Sequence, residues 1–164
     1  MFSFSTGRNN IANGYSSHVE GVSSQANGHS SHAEGNSTKA NGYSSHAEGS
    51  SSRANGNSSH AEGCVSFANG SYSHAQNHGT IAAKESQTAI GSFNIEDTYS
   101  GSLRGKYAFI IGNGVVDSIR SNAFTVEWDG NVQMALNTSA DSTTTDGKLY
   151  AAINALGWVS EVID

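Results

Sequence analysis

Small and larger residues alternate through the stretch from Asn9 to Gly91, in a seven-residue unit of the form x-x-Ser-x-Ala-x-Gly. Two forms of the unit follow each other, Ser-x-Ala-Asn-Gly and Ser-His-Ala-Glu-Gly, so the true period is fourteen residues. A fixed short period of this kind is typical of a solenoid. Strand side chains alternate between faces, so the small residues are predicted to point inward and the larger ones outward.

These features predict a parallel β-roll in which each fourteen-residue turn holds two strands of about five residues. The coil is then too thin to hold large side chains, which explains the inward Ser, Ala and Gly. Glycine at each corner is expected to supply the positive φ of a tight reversal.

The outward positions form columns that differ in how much they vary. The variable column, in the Asn-containing units, changes at every turn: Ile11, Gln25, Lys39, Arg53, Phe67 and Ile81. The histidine column (His18, His32, His46, His60, His74) and the glutamate column (Glu20, Glu34, Glu48, Glu62) do not change. Repeated identity on an outward face indicates a repeated partner, so we predict that these columns form an interface between copies, with His bonded to Glu of the neighbouring chain. Recent duplication of the repeats is the alternative explanation.

Beyond Ser92 the period breaks and larger apolar residues appear. Turn signals and alternation predict strands over 106–111, 122–128 and 131–136, the last two joined at Asp129-Gly130. Asp146 is placed to cap a short helix over 147–156. We therefore expect two domains, a repeat domain at 1–91 and a β-rich capping domain at 92–164.

Composition narrows the classes of function. The formal net charge is −6 and no basic run occurs, which disfavours nucleic acid as a partner. No apolar run is long enough to span a bilayer, so membrane insertion is not expected. Cys64 is the single cysteine, which excludes a disulfide within the chain. The columns offer imidazoles that could bind a metal ion, but His–Glu hydrogen bonds would satisfy both groups, so we expect neither a metal nor a cofactor.

The repeat resembles the left-handed parallel β-roll of YadA-type trimeric adhesin heads. Its Ser-His-Ala-Glu-Gly form is similar to repeats of phage and prophage tail-fibre and appendage proteins. The resemblance covers about half of the chain and implies an all-β, left-handed solenoid that assembles as a homotrimer.

Two blocks after the repeat, 105–114 and 120–131, resemble the peptidase G2 (intramolecular chaperone) domain at the end of phage tail spikes and neck appendages. That resemblance implies a domain that promotes trimerisation and in some members cleaves itself. If this chain does so, the candidate catalytic groups are Glu127 and Asp129, with Ser121 and Asn122 as nucleophile or scissile neighbours. The structural alternative is that Asp129-Gly130 is turn chemistry and Glu127 an exposed strand residue.

The resemblances together imply a structural and adhesive segment of a trimeric phage tail fibre, located in the virion or at an extracellular surface. Its expected partners are other copies of the chain, upstream tail or baseplate proteins and a bacterial cell-surface glycan. The alternatives are a self-cleaving chaperone domain and the head of a trimeric autotransporter adhesin. An ice-binding monomer would need a flat outward array of Thr or Ser, which the His, Glu and Asn columns do not provide.

Overall fold

The computed structural model describes residues 2–135, and this part of the chain is built from β-strands without a helix. The strands form a ten-stranded sheet and a six-stranded sheet. The larger sheet has the order β1-β3-β5-β7-β9-β11-β13-β14-β15-β16, and the smaller one the order β12-β10-β8-β6-β4-β2. Their bounds are β1 Phe4–Arg8, β2 Ile11–Ala12, β3 His18–Val22, β4 Gln25–Ala26, β5 His32–Asn36, β6 Lys39–Ala40, β7 His46–Ala47, β8 Arg53–Ala54, β9 His60–Cys64, β10 Phe67–Ala68, β11 His74–His78, β12 Ile81–Ala82, β13 Thr88–Ser92, β14 Tyr107–Asn113, β15 Asn122–Glu127 and β16 Val132–Met134.

The repeated strands pair in parallel at a constant register of fourteen residues. His18 lies opposite His32 and His32 opposite His46, and in the smaller sheet Lys39 lies opposite Arg53. The predicted parallel β-solenoid with fourteen-residue turns is therefore confirmed. The second strand of each turn has only two residues, so the prediction of five was wrong there. The chain bends immediately after this strand, because successive amides such as Asn27 N and Gly28 N both donate to Ala40 O of the next turn.

Alanine fills the interior between the two sheets. Ten alanines from Ala26 to Ala89 are fully buried, and Val19 is the one larger residue at an equivalent position in the repeats. Buried serines line the same interior, and Ser17, Ser31, Ser45, Ser59 and Ser73 each donate to a glycine carbonyl three residues earlier, at 2.6–2.8 Å. The predicted inward face of small residues is thus confirmed, and its polar members have their hydrogen bonds inside the coil.

The two kinds of glycine differ in φ, which corrects the prediction that glycine supplies positive φ at every corner. Gly35, in the Glu-Gly units, has a φ of +103°, as expected. Gly42, in the Asn-Gly units, has no positive φ, but a Cβ there would lie 1.9 Å from the carbonyl oxygen of Gly56. A Cβ on Gly35 would likewise lie 2.1 Å from the carbonyl oxygen of Gly49, so both kinds of glycine are needed for close stacking of the backbone. Serines take the positive φ at the neighbouring corners, for example Ser44 at 50° and Ser51 at 58°.

The larger sheet continues past the last repeat. Strand β14 pairs in parallel with β13, with Thr88 opposite Phe109, and β14, β15 and β16 then form an antiparallel meander. The three strands predicted after the repeat are confirmed, as is the reversal at Asp129-Gly130 between β15 and β16. Since the sheet runs on across position 91, the division into domains at 91/92 stays a prediction. The helix expected at 147–156 lies outside the described residues.

Longer polar side chains close the solenoid where the repeat ends. Gln87, Asn94 and Asp97 are buried, and the first two occupy the inward positions of Ser or Thr in earlier turns. The Asp97 carboxylate accepts hydrogen bonds from the amides of Lys106 (2.7 Å), Tyr107 (3.0 Å) and Tyr99 (3.0 Å), and from Gln87 Nε2 (3.1 Å). Asn94 binds both the amide and the carbonyl of Ile81, at 2.8 and 3.0 Å. These side chains satisfy backbone groups that a further turn would otherwise pair.

Candidate functional site

The histidine column is a continuous stack of imidazole rings on the outward face of the larger sheet. Because each histidine begins a strand in the same register, its ring lies directly over the ring of the preceding turn. Ring centroids are 4.6–4.9 Å apart and the rings lie within 12° of parallel. Phe4 extends the stack at one end, 5.2 Å from His18. The five histidines thus form one ordered surface.

Each histidine from His32 onward faces a glutamate of the preceding turn. The Nε2–Oε1 distances are 4.0 Å for His32–Glu20, 3.3 Å for His46–Glu34, 3.6 Å for His60–Glu48 and 3.5 Å for His74–Glu62. These are contacts at ion-pair distance without hydrogen-bond alignment, since the Nε2 atoms of all five histidines are shielded from solvent and have no hydrogen-bond partner. The pairing within the chain is a feature that sequence reasoning missed. Hydrogen bonding of these groups to a neighbouring copy stays a prediction.

Two histidines of the stack, His32 and His60, have lowered pKa values. Burial is the main reason that the pKa of His32 is lowered, and the neighbouring His46 and His18 lower it further. The pKa of His60 is lowered by burial first and then by His46 and His74. Glutamates act in the opposite direction but are the smaller influence. Neutral rings can stack at this spacing without charge repulsion.

Two groups in these columns bring potential metal ligands together, His32–Glu34–His46 and His60–Glu62–His74, with the ligand atoms of each within 4.8 Å of one another. An imidazole binds an ion in its ring plane at about 2.0–2.1 Å, so two nitrogens on one ion are at most about 4.2 Å apart. The His32 and His46 rings are parallel within 4° and stacked 4.7 Å apart, so one ion cannot lie in both planes. The stacked arrangement therefore does not form a ready metal site.

An apolar surface continues the same outward face beyond the last turn. In the register of the sheet, the histidine column is followed by Thr88 and Phe109, and the glutamate column by Gln76, Ile90 and Ile111. The next strands add Phe124, Val126, Val132 and Met134 to this face, while Ile110 and Thr125 point inward and are buried. We call Ile90, Phe109, Ile111, Phe124, Val126, Val132 and Met134 the apolar extension. One side of the sheet is thus ionisable along the repeats and apolar at the end.

Two further columns make side-chain contacts along the rod that the sequence analysis did not predict. Asn13, Asn27, Asn41, Asn55 and Asn69 join side chain to side chain, Nδ2 donating to the Oδ1 of the next turn at 2.7–2.9 Å. Beside them, the ring of His29 stacks between Tyr15 and Tyr43 at 5.1 and 4.9 Å. The signal was the recurrence of Asn at fourteen-residue spacing, which predicts such a series once parallel stacking is assumed.

The candidate catalytic residues lie at opposite ends of β15. Glu127 is paired with Lys106 at 3.2 Å and accepts from Gln133, and Asp129 accepts from the amide and side chain of Asn131. At the other end, Ser121 Oγ donates to Asn113 Oδ1, and Asn122 Oδ1 accepts from the amide of Ile95. A strand rises about 3.3 Å per residue, so the two pairs are roughly 16 Å apart. Within one chain the four residues do not meet at a single site, and self-cleavage stays a prediction.

Comparison with known proteins gives no relative: no family model, no curated protein and no solved structure matches the chain. In the described part of the chain, no helix is long and apolar enough to cross a membrane. The repeated surface itself is therefore the basis for an inference about function.

Proposed function

We propose that this chain is a structural and adhesive segment of a homotrimeric fibre, of the kind that forms phage tail fibres and appendages, with its turns wound in the left-handed sense. Copies of the chain associate through the histidine and glutamate columns. The assembled rod joins to upstream tail or baseplate proteins and carries contacts to a glycan of the bacterial surface. It works in the virion or at an extracellular surface.

The observation that carries the proposal is the outward face of the larger sheet. The paired histidine and glutamate side chains recur at each turn and are 24–43% exposed. The apolar extension lies on the same face, with Val132 54% and Met134 43% exposed. An exposed apolar patch bordered by polar side chains is typical of a surface covered in an assembly. A second copy can cover both parts at once, because each copy has the same repeat.

The shape of the repeat region also suits a fibre. Every repeated strand except those at the ends has a neighbour on both sides, so the rod presents little free strand edge to proteases or to aggregation. Its exposed columns recur at every turn, which allows weak contacts to a polymeric glycan to repeat along the rod and add through multivalency. The glycan as receptor rests on the resemblance of the repeat to tail-fibre and adhesin-head repeats.

Solution mass tests the assembly directly. We expect light scattering behind a sizing column at neutral pH to give about three times the chain mass of 17.0 kDa. A monomer at micromolar concentration would overturn the proposal. A trimer should then be mixed with purified bacterial cell walls before and after chemical removal of their polysaccharides. Binding that is equal on both preparations, or absent from both, would contradict the adhesive part.

A further inference from the structure

We infer that the glutamate column of one copy receives the basic side chains of the variable column of the next copy, so that the subunits meet through two different surfaces. The inference rests on the proposed assembly and names the contact within it. A ring of three copies needs contacts of this head-to-tail kind, in which one surface of each copy meets a different surface of its neighbour.

The charges on the two columns are complementary at the same height of the rod. The larger sheet carries Glu20, Glu34, Glu48 and Glu62, and the smaller sheet carries Lys39 and Arg53 in the central turns. Within residues 2–135 neither basic side chain has a carboxylate partner at ion-pair distance. The guanidinium carbon of Arg53 lies over the Phe67 ring, 5.5 Å from the ring centroid. Both columns thus have charged centres, opposite in sign.

Height along the axis specifies the pairs. Copies in a ring share one height, and successive turns rise by about 4.8 Å. Arg53 follows Glu48 by five residues of a fourteen-residue turn. Along the axis, in the direction of the chain, it therefore lies roughly 2 Å beyond Glu48 and roughly 3 Å before Glu62. By the same reasoning Lys39 lies between Glu34 and Glu48. Each basic side chain would therefore approach the gap between two glutamates of its neighbour.

A recess is present at one of these gaps. A surface depression of about 340 Å³ is lined by Glu48, Glu62 and Gln76, together with Gly49, Gly63 and Asn77. Two of its walls are carboxylates and its floor includes glycines, so it has the charge and the room for a long cationic side chain. Its part between Glu48 and Glu62 lies at the height of Arg53.

The ends of the columns fit in the same register. The variable column becomes apolar at Phe67 and Ile81, and the face of the larger sheet becomes apolar at Ile90 and Ile111. Contacts at matching height would pair Ile81 with the region of Gln76 and Ile90, and so bring apolar residues together above the ion pairs. At matching height Phe67 lies between Glu62 and Gln76, whereas a shift toward the earlier turns would also place Ile81 against a carboxylate. Charge and apolar contact therefore favour the same register.

Charge exchange tests the contact. The variant Lys39→Glu/Arg53→Glu sets like charges against the glutamate column and should weaken assembly by roughly tenfold or more, measured as the concentration of half-dissociation. Glu48→Lys/Glu62→Lys should do the same. A chain with all four substitutions has opposite charges at three of the four contacts, since Glu34 still meets position 39, and should recover assembly well above that of either double variant. His29→Glu/Asn57→Glu is the control, because it adds two carboxylates to an exposed column outside both surfaces.

The outcomes separate this inference from the proposed function. Circular dichroism first confirms that each variant keeps its β-structure. A wild-type trimer that the charge variants leave unchanged, or that the fourfold variant fails to recover, overturns the contact and leaves the fibre proposal standing. A wild-type monomer overturns both. Weakening by the control to the same extent would show a general charge effect and would also overturn the contact.

Discussion

Replacing Gly42 with alanine tests whether close backbone stacking holds the solenoid together. The φ of Gly42 is not in the positive region, so alanine meets no conformational obstacle there. Its Cβ, however, would lie 1.9 Å from the carbonyl oxygen and 2.4 Å from the carbonyl carbon of Gly56, both backbone atoms. A Cβ does not approach a carbonyl group within about 3 Å in folded proteins, so the two turns must separate locally by roughly 1 Å.

The size of the effect follows from the bonds at this corner. Separation breaks the hydrogen bonds from Asn41 N and Gly42 N to Ala54 O, at 2.8 and 3.2 Å, each of which contributes about 1 kcal/mol. Strain from overpacking adds about 1–3 kcal/mol. The lower entropy of the unfolded alanine chain offsets about 0.4–1 kcal/mol. We expect Gly42→Ala to lower the free energy of unfolding by about 2–4 kcal/mol.

Gly130→Ala is the matched control, because Gly130 has a positive φ but free space around its Cβ position, the reverse of Gly42. Gly130 has a φ of +93° but no atom within 4 Å of the added Cβ, so only the conformational cost of about 1–2 kcal/mol applies. Urea unfolding followed by far-ultraviolet circular dichroism measures both, at one protein concentration because association alters apparent stability. The reasoning fails if Gly42→Ala unfolds within about 0.5 kcal/mol of the wild type, or if it is no less stable than Gly130→Ala.

Three other predictions concern pH, the closed end and the proposed interface. The folded-state pKa values of His32 and His60 are lowered from 6.5, so the unfolded chain takes up protons before the folded chain does. The contribution of these histidines to stability should therefore be complete above pH 6.5 and be lost as the pH drops through the lower folded-state pKa values. A melting temperature that is flat from pH 7 to about 4.5 would contradict this. Asp97→Asn should lower the free energy of unfolding in urea by about 1–3 kcal/mol, because an amide cannot accept all four hydrogen bonds of the carboxylate. Asp129→Asn, at an exposed position, should change stability little. Equal effects of the two substitutions would refute the role of Asp97. Cys64 is exposed in the single chain and follows Glu62 by two residues, so a thiol reagent should label it more slowly in the assembled protein than in Lys39→Glu/Arg53→Glu. Equal rates would count against burial of the glutamate column.

The sequence predicts the solenoid well because the period directly encodes its register. Alternation of small and large residues is enough to assign Ala33 to the interior and His32 to the outside. The corners were less predictable, since Gly35 and Gly42 look alike in the sequence yet differ in φ. Both need the space that a missing Cβ leaves to the next turn, but only Gly35 also needs a positive φ.

The contents of the candidate site were predicted only in part. The outward position of the histidine and glutamate columns follows from alternation, but the contact of His46 with Glu34 depends on how side chains lean between stacked turns. Gln87 takes the place of the repeated Ser only once and Asp97 lies beyond the repeat, so no recurring pattern predicts their role. Their role comes from backbone groups of Lys106 and Tyr107 that are distant in sequence and near in space.

The fourteen-residue turn also sets a counting rule for changes in length. Removing residues 37–50 deletes one complete turn, shortens the rod by about 4.8 Å and leaves every column in phase. Removing only seven residues would bring a glycine that needs a positive φ onto one that needs room for its neighbour, and would exchange the histidine column with the variable column. Such a rod can therefore gain or lose length in whole turns, each of which preserves the surface along its side.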